Sequence, residues 1–142
     1  MKTSDLQDFK INVRIKLSVL WASVTFCYLY GDYFELYVPR KVEGLLNGEN
    51  MLDSPTKLFI AGFLLLIPAL MVSLSVILMP TLNRNLNIIL GVFYTLFVFL
   101  VGLSSISAWR SFYVFYAVVE ICLTSLIVWY AWRWERVDAP EH

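Results

Sequence analysis

An acidic residue inside an apolar run demands an explanation, and Glu120 stands in the middle of FYAVVEICLTSLIVWYAW, residues 115–132. A carboxylate at the centre of a membrane helix costs roughly 2.5–3.5 kcal/mol on insertion scales, so such groups turn toward a helix-bundle interior or a wet cavity, where they handle protons and cations. Tyr113, Tyr116, Glu120 and Thr124 recur at helical spacing and give this segment one polar face. Tyr28, Asp32 and Glu35 do the same earlier in the chain. The candidate ligand- or proton-binding set is therefore Glu120, Tyr28, Asp32, Tyr116 and Tyr113. Glu35 is read as an interfacial residue that pairs with Arg40 or Lys41.

Two kinds of function suit these groups. In one, the carboxyl and phenol groups line a vestibule and bind a proton or a small cationic solute, as in proton- or cation-coupled transport. In the other, the protein is a structural or accessory membrane subunit, and the buried carboxyl fixes helix packing through an interhelical hydrogen bond worth about 0.6–2 kcal/mol. A lipid-binding protein using the same cavity is a third reading.

Other chemistries lack their residues. The single histidine, His142, is the last residue, which removes internal ligands for a catalytic metal or haem. Cys27 and Cys122 form no Cys-x-x-Cys pair, no glycine-rich phosphate loop occurs, and the serines have no base beside them. No catalytic residue, cofactor or metal site is assigned, and the balance of function lies away from enzymes. A formal net charge of zero gives no basic surface for nucleic acid.

The elements that must position the candidate residues follow from composition. With 59% hydrophobic residues and 15% charged ones gathered between apolar runs, the chain belongs in a lipid bilayer. A bilayer core of about 30 Å needs roughly 20 apolar residues in a helix. Residues 58–79 and 86–106 supply this without charge, 111–132 is broken only by Glu120, and 17–38 admits Asp32 and Glu35 near its end. The predicted fold class is all-α, a polytopic membrane protein with one antiparallel bundle of four transmembrane helices over residues 1–142. An amphipathic lead-in over 4–16 begins at a capping box of Ser4 and Gln7 and brings Lys10, Arg14 and Lys16 to anionic headgroups. The outer loop, 39–54, contains KVEGLL at the interface and NGEN at a turn.

Punctuation refines this plan. Asp53 or Ser54 caps the second span ahead of Pro55, Pro80 closes it, Thr81 or Asn83 caps the third, and Ser107 caps the fourth. Short connections then force antiparallel neighbours. Glu120 lies ten residues from Arg110, Tyr28 ten from Val38 and Pro68 eleven from Lys57. At 1.5 Å per residue all three sit about 15 Å below the outer boundary. Pro68 also deprives the Leu64 carbonyl of its usual helical donor, so a protonated Glu120 has two expected partners, the Leu64 carbonyl and the Tyr28 hydroxyl. Small residues at four-residue spacing, Ala69 with Ser73 and Gly91 with Thr95, permit close helix contact and a homo-oligomer.

Lysine and arginine set the orientation. Lys2, Lys10, Arg14, Lys16, Arg84, Arg133 and Arg136 fall on the side of the termini, against Arg40, Lys41, Lys57 and Arg110 opposite, which predicts cytoplasmic termini. No small-x-small cleavage site follows the first span, which is expected to be retained. The stretches YGDYFELYVP, LNIILGVFYTL and FYVFYAVVEICLTSLIVWYAW resemble those of a family of small four-pass bacterial membrane proteins of unknown function. The resemblance spans nearly the whole chain and implies a multi-pass protein of the bacterial inner membrane, with no activity to transfer.

Overall fold

A computed structural model describes residues 10–135, and every regular element among them is helical. Four long helices, α1 (Val13–Glu35), α3 (Pro55–Ile77), α4 (Pro80–Ser104) and α5 (Ser111–Trp132), are joined by a short helix α2 (Lys41–Leu46) and a 3-10 turn at Ala108–Arg110. Residues 4–9 of the expected lead-in lie outside the described residues. Lys10, Ile11 and Asn12 are not helical, so α1 starts at Val13 with the Asn12 side chain accepting from the Arg14 amide. A short polar side chain at that position satisfies an otherwise orphaned donor and gives the helix a defined beginning.

The helix ends correct the expected punctuation in two places. Pro80 does not merely close α3; it is the first residue of α4, where its missing N–H costs nothing, so Leu78 and Met79 alone connect the two helices. Asn83 is consequently not a cap: its amide lies fully buried and donates to the Ser75 carbonyl of α3. Ser54 caps α3 by accepting from the Lys57 amide. Ser107 precedes the 3-10 turn rather than α5 itself, whose cap position is Arg110.

Polar contacts reveal how the long helices run. Arg14 and Ser18, at the start of α1, donate to the Val76 and Val72 carbonyls at the end of α3. Arg84, at the start of α4, donates to the Ala131 and Trp132 carbonyls at the end of α5. Glu35, closing α1, meets Arg110, opening α5. Each pair is therefore antiparallel. α1 packs along both α3 and α5, and α4 packs along α5, whereas α3 and α4 have little direct contact.

The α4–α5 seam is close because Gly91 permits it. A methyl group there would stand 2.7 Å from Val128 Cγ2 and 3.4 Å from the Thr124 carbonyl, and beside it Thr95 donates to Thr124 Oγ1 at 2.7 Å. The spacing of Gly91 and Thr95 thus serves packing within the chain.

Buried Leu17, Trp21, Val24, Met71, Tyr94, Ile127 and Ala131 form the core. A fully buried polar chain runs through it: Trp21 Nε1 donates to Asn87 Oδ1 at 2.7 Å, Asn87 Nδ2 to Asn83 Oδ1 at 2.6 Å, and Ser75 Oγ reaches Asn87 at 3.4 Å. Because every member finds a partner, the chain costs little and ties α1, α3 and α4 in one register.

Outside this core the surface is apolar. The stretches Pro55–Ile77, Pro80–Ser104 and Ala108–Trp132 are long and apolar enough to cross a membrane, yet only 17–22% of each is buried inside the protein. Phe59 and Ile77 are each 74% exposed. Apolar faces this continuous are tolerated against lipid or a partner, not against water. α1 is as long as α3 but falls outside that group, because Trp21, three tyrosines, Asp32 and Glu35 dilute its apolar residues.

Candidate functional site

The four long helices enclose a cavity of about 490 Å³ in the half of the molecule that contains the end of α1 and the start of α5. Tyr28, Asp32, Tyr113, Tyr116 and Glu120, the residues singled out from sequence, all line it. Their convergence has a simple origin. Residues 28, 32 and 35 climb one face of α1, residues 113, 116 and 120 descend one face of the antiparallel α5, and the two faces oppose each other. Gly31 lies buried between them, and a methyl there would meet the Tyr113 ring at an ordinary contact distance of 3.7 Å.

Glu120 is 5% exposed, and its carboxyl group makes no hydrogen bond or ion pair among the described residues. Its backbone carbonyl accepts from Thr124, but the side chain faces the cavity. The Tyr28 hydroxyl beside it is buried without a partner. A buried polar atom without a partner costs about 1–3 kcal/mol, so the Tyr28 hydroxyl marks a place where stability has been given up.

The Leu64 carbonyl freed by Pro68 is not available to either group. Tyr94 of α4 donates its hydroxyl to that oxygen, and the Tyr94 ring stands edge-on to Trp21 at 5.9 Å and tilted beside Tyr28 at 6.3 Å. Sequence depth placed Pro68, Tyr28 and Glu120 at one level but overlooked Tyr94, a tyrosine in an otherwise uncharged span. Counting ten residues back from the outer end of α4 at Ser104 puts it about 15 Å deep, near the same plane.

Toward the open end, Glu35 organises the charges. One carboxylate oxygen accepts from Lys41 at 3.1 Å and from Arg110 at 2.9 Å, while the other is buried and unpartnered. The expected Lys41 pairing is present; Arg110, 75 residues from Glu35 in sequence, is drawn in because the α1 and α5 ends are neighbours. Arg40, with φ of 65°, reverses the chain so that α2 begins beneath Glu35. Gly48, at φ of 74°, turns it again after α2, and Met51 and Leu52 return to the cavity. Glu35 thereby ties the outer segment to the helices, and both cations that line the cavity are engaged with it.

The remaining walls are apolar: Ala61, Leu64 and Leu65 from α3, and Phe97, Val98 and Val101 from α4. Cys27 lines the cavity, whereas Cys122, two residues past Glu120, is exposed on the other side of α5; both thiols are free. Tyr116 separates the cavity from an aromatic groove of about 440 Å³ formed by residues such as Phe34, Trp109 and Phe112. Among the described residues no three histidine, cysteine or carboxylate side chains converge to hold a metal ion.

Fold and site together define an all-helical protein with three helices apolar enough to cross a membrane, built around a cavity with a buried acid. The chain belongs to the Family of unknown function (DUF6326), whose pattern matches residues 4–140. No match was found among curated proteins or among solved structures.

Proposed function

We propose that this is a four-span protein of the bacterial inner membrane, with α1 as the fourth span and both termini cytoplasmic, whose cavity binds a small cationic solute in exchange for a proton on Glu120. The observation that carries the proposal is the Glu120 carboxyl: buried, facing open space and bonded to nothing among the described residues. A carboxyl kept for packing would bridge helices. The bridges here are instead Trp21 with Asn87, Asn83 with Ser75, Tyr94 with Leu64 and Thr95 with Thr124. Among the described residues, then, the carboxyl is not used as a tie between helices of this chain, which favours the binding reading.

The orientation draws support from the opposite end. Arg14, Lys16, Arg84 and Arg133 gather where α1 begins and α5 ends, with Lys16 5.1 Å from the Tyr130 ring and Arg133 4.9 Å from that of Trp129. Aromatic belts mark both membrane interfaces, so the orientation itself rests on the excess of lysine and arginine on the side of the termini, seven against four over the sequence.

The test is exchange in proteoliposomes carrying a lumenal pH dye. A lipophilic quaternary ammonium salt, which has no neutral free base to cross the bilayer with a proton, added outside should move protons with wild-type protein and fail to do so with Glu120→Gln. Equal proton movement with both would end the proposal.

A further inference from the structure

The cavity's charge and walls define its occupant more narrowly. Three carboxylates, Asp32, Glu35 and Glu120, face two cations, Lys41 and Arg110, which leaves one negative charge over when all are ionised. Glu35 holds both cations, so the unbalanced groups are Asp32 and Glu120 on facing helices. Around them stand Tyr28, Tyr94 and Tyr113, whose ring faces attract cations, most strongly where water is excluded. A metal ion would need converging ligands that the described residues do not provide.

The far side of the cavity is different in kind. There α3 and α4 face each other across Leu64, Leu65, Phe97 and Val101 with little direct contact, joined at mid-depth by the Tyr94 bond. These walls offer no hydrogen-bonding side chain at that level, and the outer faces of both helices are apolar. A ligand seated with its charge at Glu120 must lay the rest of itself along this apolar gap.

We infer that the cavity binds a monovalent lipophilic organic cation, an ammonium head with an apolar body, the head between Glu120, Asp32 and the tyrosine rings and the body between α3 and α4. The inference rests on the cation-binding reading above and adds the nature of the body. It also implies that an inorganic cation or a small hydrophilic amine is a poor ligand.

Binding of three probes to purified protein in lipid nanodiscs tests this, with empty nanodiscs subtracted and free probe measured by equilibrium dialysis. Octyltrimethylammonium has head and body, tetramethylammonium the head alone, and octanesulfonate the same body with opposite charge. Octyltrimethylammonium should saturate at about one per chain, at least about tenfold tighter than tetramethylammonium because of its buried methylenes. Glu120→Gln should abolish its saturable binding while the circular dichroism stays that of wild type. Asp32→Asn, which removes no hydrogen bond or ion pair among the described residues, should weaken it and serves as the test if Glu120→Gln does not fold.

If both ammonium ions bind equally and depend on Glu120, the lipophilic body is refuted while the cation site stands. If octanesulfonate competes as well as octyltrimethylammonium, or if no ammonium probe saturates, this inference and the cation-binding reading fall together.

Discussion

Replacing Glu120 separates a binding group from a packing group by stability alone. The side chain is 5% exposed and has no hydrogen-bond partner among the described residues, so Glu120→Gln breaks no contact. Were the carboxyl a hidden interhelix tie, its loss would cost about 0.6–2 kcal/mol. Without such a tie, the glutamine variant should lie within about 0.5 kcal/mol of wild type or above it, since an uncharged amide is less costly to bury. Glu120→Leu should be stabilising, with a gain bounded by the roughly 2.5–3.5 kcal/mol that an acidic residue costs at mid-membrane. Asn87→Leu supplies the contrast, because it strips partners from Trp21, Ser75 and Asn83 and should lose about 1–3 kcal/mol or more. Reversible unfolding by sodium dodecyl sulfate in lipid–detergent micelles, followed by tryptophan fluorescence, measures all three variants. The reasoning is refuted if both Glu120 variants lose as much stability as Asn87→Leu.

Other expectations follow from single contacts. Gly91→Ala forces α4 and α5 apart, since the new methyl would meet Val128 at 2.7 Å; in the same unfolding assay it should cost about 1–3 kcal/mol, and an unchanged midpoint would contradict the close seam. Glu35→Gln removes the anion that both Lys41 and Arg110 share, so amide hydrogen exchange across Lys41–Leu46 should quicken while the core amides around Trp21 keep their rates. Cysteines placed at Asn47 and Glu135, in a chain with Cys27 and Cys122 replaced by alanine, should differ in intact cells. An impermeant maleimide should label the first and not the second, and the reverse result would invert the proposed orientation.

The sequence by itself determined that the chain is helical and apolar enough for a membrane, and it grouped most of the polar residues that line the cavity. Uninterrupted apolar length decides whether a helix can lie in lipid, and three-and-four-residue spacing decides which side chains share a face; both are properties of one segment at a time. That is why Tyr28, Asp32, Tyr113, Tyr116 and Glu120 could be grouped before any fold was known, and why Glu120 stood out by its cost. Which group meets which was decided only by tertiary structure. Tyr94 takes the carbonyl that Pro68 frees, Arg110 joins Lys41 on Glu35, Asn83 enters the core instead of capping a helix, and Glu120 is left with the cavity. These pairings depend on the rotation of each helix about its axis and on which helices are neighbours. The spacing of Gly91 and Thr95 says that a close contact is permitted, but not that α5 is the helix that makes it.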